Sequence, residues 1–309
     1  MQLTTPVDIP TIADFKFEDR FLLIGSCFTE NIAKRMRGAF MQVCANPFGE
    51  MYNPLSVLQC MQWLRTDKLF SKNDLIWYNG LFHSMLHHGR FSATDADRTL
   101  DGINTELTRA RQFIASADRL HIIITFGSAY VYEQNGKVVG NCHKMPESEF
   151  LLRRLTTDEI VSQWSKVQQE WNNADFLFTV SPIRYRKYGM HGNQLSKATL
   201  LLAIDRLGVN YFPAYEIMLD ELRDYRFYAD DMIHPSEQAV EYIWQRFCQT
   251  CFTNQAQQQI AETESVGKLL NHMTLHEGTA QTLQFELTKT QKINNLKNKY
   301  PWIENYLLS

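Results

Sequence analysis

The sequence predicts a doubly wound α/β domain, in which a parallel sheet is covered by helices on both faces, followed by a helical C-terminal extension. Three observations carry this. Short apolar runs of strand length recur at Phe21–Ile24, Leu120–Phe126 and Phe176–Val180. Longer segments with apolar residues at helical spacing separate them. The strand candidates are apolar throughout rather than alternating, which marks strands buried on both faces.

The elements follow in order. Phe21–Ile24 stops at Gly25, and Thr29–Met41 has helical spacing. Gln42–Ala45 is a second short strand, ended by Asn46-Pro47-Phe48-Gly49. Pro54–Leu64 is helical and starts with proline, whose missing N–H costs nothing in the first turn. Residues 69–92 are irregular and rich in aromatics and histidine. Ala96–Ser116 is a long polar helix. Leu120–Phe126, the strongest strand, ends at Gly127. Tyr130–Val139 reads as a hairpin around Asn135-Gly136. Thr157–Asn172 is an amphipathic helix, and Phe176–Val180 is a strand stopped by Ser181-Pro182. Gly192–Leu207 is helix, and Tyr211-Phe212 runs into Pro213. A short strand is expected near Tyr225–Tyr228, then a helix over Pro235–Cys248. From Gln255 onward the chain is polar, with weak helical stripes at Leu269, Leu270 and Met273 and at Leu283, Phe285 and Leu287. Residues 1–254 therefore read as the main domain. Residues 255–309 read as an extension packing on it or on a second copy of the chain.

Composition bounds the function. The chain is 44% hydrophobic and 21% charged, an ordinary globular balance. A net charge of -3 gives no basic patch, so nucleic acid is not an expected partner. No apolar run approaches the roughly 18 residues of a membrane span, and the N-terminal residues do not read as a secretory signal. A cytoplasmic, membrane-free protein is the expectation. The six cysteines are too sparse for a disulfide scaffold. Cys248 and Cys251 have no second pair at zinc spacing and read as core thiols.

Two segments carry chemistry. At the end of the first strand stands Ile24-Gly25-Ser26-Cys27-Phe28, followed by a helix. Ligands of open parallel sheets bind beyond the carboxyl ends of the strands, so Ser26 lies at the mouth of the fold. The helix N-terminus after it offers unpaired N–H groups suited to an oxyanion. Serine is also an ordinary helix cap. Cys27 is a lesser nucleophile candidate, since the next residue on a turn points elsewhere. Far downstream stands Asp230-Asp231-Met232-Ile233-His234-Pro235. Asp231 can hold one imidazole nitrogen of His234 and leave the other free to take a serine proton. The order, serine after the first strand and Asp-x-x-His after the last, resembles that of the SGNH (GDSL-type) hydrolases.

The likeness extends further. Gly25-Ser26-Cys27-Phe28 resembles the motif that names the GSCFA domain family, placed with the SGNH-like hydrolases. Tyr52-Asn53-Pro54-Leu55, His87-His88-Gly89-Arg90-Phe91-Ser92, Asn141-Cys142-His143-Lys144 and Ser181-Pro182-Ile183-Arg184 resemble it too, covering about residues 20–250. The resemblance implies a flavodoxin-like three-layer α/β/α fold and ester or acyl-transfer chemistry. Carried over by position, Ser26 is the nucleophile, Asp231 the orienting acid and His234 the base. Gly49 matches the oxyanion glycine, beside the N–H of Ser26. The chain departs at two places. Gly-Asp-Ser is reduced to Gly25-Ser26, and Ala129 stands where the superfamily has its oxyanion asparagine. Asn141, on the hairpin's return, is the candidate substitute.

Asn53, His88, Arg90 and His143 are candidate substrate-binding residues from these segments, and Arg184 is a candidate anchor for a carboxylate or phosphate. His83, His87, His88, His143 and His191 lack an acidic partner and do not read as a metal site. Trp77, Tyr78 and Phe82 suit sugar stacking and core packing alike. The expectation is a serine esterase or acyltransferase acting on a small-molecule or glycan acyl ester, for which the superfamily resemblance suggests an O-acetylated sugar, with no cofactor and the C-terminal helices as a homo-oligomer surface. The rival is an inactive hydrolase-fold protein that binds a carbohydrate or other small ligand.

Overall fold

A computed structural model describes residues 4–270 and 279–304 of the chain. Five parallel strands form the central sheet: β1 (Arg20–Gly25), β2 (Gln42–Ala45), β5 (Leu120–Phe126), β9 (Ala174–Val180) and β10 (Asn210–Phe212). Their spatial order is β10-β9-β5-β1-β2. Counted within the sheet this is 2-1-3-4-5, the flavodoxin-like order.

Both faces of the sheet are buried, as the continuous apolar runs require. Phe21 and Leu23 enter one hydrophobic cluster with α1 (Cys27–Gly38) and α7 (Glu237–Cys251). Leu22, Ile24, Ile122 and Ile124 enter a second cluster on the opposite face. That cluster includes α2 (Pro54–Leu64), α3 (Ala96–Ala115), α4 (Thr157–Glu170) and α5 (Gly189–Leu207). The result is a three-layer α/β/α fold.

Two antiparallel ribbons lie outside the central sheet. β3 (Ile76–Tyr78) pairs with β4 (Leu81–His83) inside the stretch read as irregular. β6 (Tyr130–Gln134) pairs with β7 (Lys137–Val139) through the expected Asn135-Gly136 turn, and with β8 (Leu151–Arg154) on its other side. The strand expected near Tyr225–Tyr228 is a 3-10 turn instead. Asp224 accepts from the Arg226 N–H at 2.9 Å, and this local bond competes with extended backbone. It follows a short helix α6 (Ala214–Glu216) and a π turn over Ile217–Glu221.

The extension forms α8 (Asn254–Leu270) and α9 (Ala280–Lys299). It packs on the main domain: Ile260, Val266, Leu296, Tyr300 and Ile303 belong to the same cluster as Phe21 and Leu23. Leu269 and Leu270 fall in α8. Leu283 and Leu287 point outward, each 60% exposed, and Met273 lies outside the described residues. No helix among the described residues is long and apolar enough to cross a membrane.

Candidate active site

Ser26 stands between the last residue of β1 and the first of α1, as the N-cap residue. The turn is tight because Gly25 has no side chain: a Cβ there would lie 2.3 Å from the Thr125 carbonyl oxygen of β5. The loop after β2 is bonded to this turn. The Gly25 N–H donates to Asn46 Oδ1 at 2.9 Å, and the Met51 N–H donates to the Gly25 carbonyl at 2.8 Å. The Tyr52 carbonyl in turn accepts from the N–H groups of Gly127 and Ser128, each at 2.8 Å. The ends of β1 and β5 are thereby fixed at the crevice where the strand order reverses, the usual ligand position of this fold.

The second segment arrives from the other side. The Arg184 N–H donates to the Ile233 carbonyl at 3.2 Å, joining the loop after β9 to the loop before α7. In that loop Asp231 Oδ2 meets His234 Nδ1 at 2.6 Å. Its Oδ1 accepts from the N–H groups of Ile233 and His234 at 2.8 and 3.0 Å. These three bonds hold the Asp231 carboxyl far below the usual carboxylate range, the His234 N–H first among them. The carboxylate therefore fixes His234 through Nδ1 and leaves Nε2 as the outward nitrogen.

Ser26, Cys27 and His234 line one cavity of about 300 Å³, walled by Tyr52, Ile183 and Ile233. Ser26 Oγ has no hydrogen-bond partner among the described residues, and the residue is fully buried. Ser26 and His234 line the same cavity, and the hydrogen bond expected between them is not formed. Cys27 shares the cavity. Burial pushes its thiol up, against the bonds from its own N–H and that of Phe28, so it stays protonated.

Behind the cavity lies a residue that sequence reasoning missed. Lys197 of α5 is 1% exposed. Its Nζ donates to the carbonyls of Gly127 and Ser181 at 2.8 and 2.7 Å, tying the ends of β5 and β9 together. Burial pulls its pKa down to about 7. The signal was present as spacing, since Asn193, Ser196, Lys197, Leu200 and Ile204 form the buried stripe of α5. Tyr52 and Ser181 were missed as wall residues for the same reason: each lay inside a quoted segment without a role.

Six of the expected site residues are not at this cavity. The Gly49 N–H is committed to the Asn46 carbonyl at 2.8 Å, and a Cβ on Gly49 would strike His88, not Ser26. Asn141 bonds the Met85 carbonyl through its N–H and the His143 N–H through its side chain. Asn53 caps α2 by accepting from the Ser56 N–H at 2.8 Å. Arg90 donates to the Asn46 carbonyl at 2.9 Å. His143 is bonded to the Ser84 carbonyl at 2.8 Å, and His88 lies 3.8 Å from Glu50. None of the six lines the cavity, whereas Arg184 does.

Larger clefts lie elsewhere. One of about 730 Å³ is bordered by Asp220–Phe227, and one of about 690 Å³ runs between α2 and the β6–β7 hairpin. The second includes Ser84, bonded to His87 Nδ1 at 2.8 Å. Size does not make it the better candidate. His87 is caged by Phe48, Phe70 and Phe91 with no carboxylate to orient it, and burial lowers its pKa to about 3. Trp77 and Phe82 pair across β3 and β4, away from the Ser26 cavity.

A family model, the GSCFA family, matches residues 20–247, well over half of the chain. The chain belongs to the GSCFA family. The match spans both the Ser26 turn and the Asp231–His234 loop and ends within α7. A search of curated proteins gave no match.

Proposed function

We propose that this GSCFA protein is a serine esterase or acyltransferase of the SGNH type, working through an acyl-enzyme on Ser26. The observation that carries the reading is a fully buried, unbonded Ser26 hydroxyl in the same cavity as an imidazole fixed by a carboxylate. A buried hydroxyl without a partner costs about 1–3 kcal/mol, and a site with a task accounts for it.

In the first half-reaction an acyl ester enters and the His234 ring comes into reach of Ser26 Oγ, a contact that tightens with ligand. Oγ attacks the acyl carbon as Nε2 takes its proton. The bond from the acyl carbon to the alcohol oxygen breaks, and His234 returns the proton to that oxygen. In the second, water or an acceptor hydroxyl attacks the acyl carbon, gives its proton to His234, and Ser26 leaves reprotonated. The carbonyl oxygen is placed at the start of α1, where the N–H groups of Cys27 and Phe28 have no intrahelical partner and turn from the Cys27 sulfur to the oxyanion. The cavity volume, at the small end for ligand sites, suits a short acyl group such as acetyl.

The rival is a binding protein for a carbohydrate or other small ligand that has lost catalysis. The positions of Gly49 and Asn141 favour it, since neither supplies an oxyanion donor. A fluorophosphonate probe with mass mapping separates the two. Labelling at Ser26, abolished in Ser26→Ala and suppressed in His234→Ala, supports the enzyme. An unlabelled wild type that also leaves para-nitrophenyl acetate intact supports the binder.

A further inference from the structure

We propose that the ester taken by this cavity carries a second, anionic oxygen group, a carboxylate or phosphate, held beside Ser26 by Arg186 and Arg184. This rests on the esterase or acyltransferase reading and adds the charge of its substrate.

The cavity wall contains Arg184, Arg186 and Lys187 and no aspartate or glutamate. The chain as a whole is acidic, with a net charge of -3, so the cluster does not follow from composition. Only one of the three cations is neutralised. Lys187 Nζ meets Glu147 at 2.9 Å and the Tyr132 hydroxyl at 2.6 Å. Arg184 is held by neutral groups. It stacks on Tyr228, 4.0 Å from the ring centroid, and donates to the Met232 carbonyl. The Arg186 side chain makes no hydrogen bond or ion pair among the described residues.

Of the neighbouring acids, Asp231 is fully engaged and Glu50 is not. Both oxygens of Asp231 are taken by its own loop and His234. Glu50 acts electrostatically on Cys27 and Tyr52 of the wall; His88 lies 3.8 Å from it, and one of its carboxylate oxygens is buried without a hydrogen bond. Arg186, an exposed residue, and Arg184, whose guanidinium stacks on Tyr225 and Tyr228 at the edge of a neighbouring cleft, thus stand at the cavity rim without an ion-pair partner among the described residues. Guanidinium groups match carboxylate and phosphate oxygens in geometry and charge. Ser181 adds a buried, unbonded hydroxyl to the same wall, a neutral donor for the same group. Apolar walls from Ile183 and Ile233 weaken solvent screening there.

The test compares two acetate esters of similar shape, para-acetoxybenzoate and its neutral amide para-acetoxybenzamide, with background hydrolysis subtracted. The ratio of their kcat/KM values is the readout. It should favour the carboxylate about three- to tenfold at low salt. It should fall toward one in Arg186→Gln and at about 0.5 M salt. A third ester, para-acetoxyphenyl phosphate, shows which oxyanion is preferred. Turnover of both benzoate and benzamide at equal efficiency, lost alike in Ser26→Ala, overturns the anion site and leaves the enzyme standing. If no ester is turned over, the enzyme reading has failed, and calorimetric binding of para-hydroxybenzoate against para-hydroxybenzamide decides the anion site. Preference for the anion, lost in Arg186→Gln, sustains it, and equal binding overturns it.

Discussion

At Ser26, stability and function make opposite demands. Its hydroxyl is buried without a partner, so removing it relieves an unmet desolvation cost. Ser26→Ala should therefore fold as stably as the wild type or up to about 1 kcal/mol more so, while turnover falls by about four orders of magnitude or more. Urea denaturation beside ester kinetics checks both. A loss of more than about 1 kcal/mol in the alanine variant would instead give Ser26 a structural role. Asp231 allows a second prediction. Its lowered pKa means the ionised form is the one favoured in the folded chain, so its clamp on His234 persists as pH falls through the ordinary carboxylate range. Protonation of Asp231 should leave no separate acid limb in the rate profile above about pH 4. Asp231→Asn should cost about 10⁴ in kcat by favouring the wrong tautomer; near-normal turnover in that variant would remove Asp231 from the mechanism. That Ser26 and His234 line one cavity and that Asp231 bonds His234 was legible because each sits in a short pattern with a defined place relative to a strand end. Gly49, Asn141, Asn53 and Arg90 were misread because their roles depend on which backbone group each one bonds, and sequence does not disclose that.

At the level of elements, the site depends on how neighbouring strand ends are joined. Lys197, on the sheet-facing stripe of α5, bonds the ends of β5 and β9 from behind. Burial lowers its pKa from about 10.4 in an unfolded chain to about 7. Between these values the unfolded chain binds more protons than the folded one, so stability rises with pH. Below about pH 7 both forms are protonated, and the cost of burying the charge is felt in full. The wild type should thus gain on the order of a few kcal/mol relative to Lys197→Met between pH 6.5 and 9.5. Paired denaturation curves at the two pH values measure this, and a constant gap would mean that Lys197 keeps its proton when buried. Strands of the inner sheet were legible from continuous apolar runs. β8 was not, because Leu151-Leu152-Arg153-Arg154 pairs with only one partner and its two leucines are exposed. The Tyr225–Tyr228 turn was misread for a related reason. Its aromatics look strand-forming, yet both flank the Arg184 guanidinium.

For the whole molecule, the 2-1-3-4-5 order places the β1 and β5 ends side by side, and that adjacency brings the loops after β2 and β9 around Ser26. The sequence shows the alternation of strands and helices but not which strands are neighbours. It also undersells the C-terminal extension. Residues after 254 are polar overall, so they read as an appendage, yet their few apolar side chains complete the core. The Tyr300 ring lies 4.8 Å from that of Phe17, the Trp302 Nε1–H donates to the Phe40 carbonyl at 2.9 Å, and Trp244 of α7 donates to Glu264 of α8 at 2.9 Å. Through Glu264 the extension reaches α7, and α8 also packs on α1, the helices that follow the His234 loop and begin at the Ser26 turn. Burying a large apolar side chain contributes about 1.5–3 kcal/mol. Ile260, Val266, Leu296, Tyr300 and Ile303 together then contribute roughly 10 kcal/mol, comparable with the whole stability of a typical domain. The full chain should unfold in one cooperative transition. Deletion of residues 255–309 should give a chain that aggregates or binds a hydrophobic dye, with ester turnover lost although every site residue is retained. Calorimetry and dye binding on both chains are the measurement. A truncated chain that melts where the full one does, with its turnover intact, would show that the extension is separable and that the Ser26 site needs nothing beyond the α/β layers.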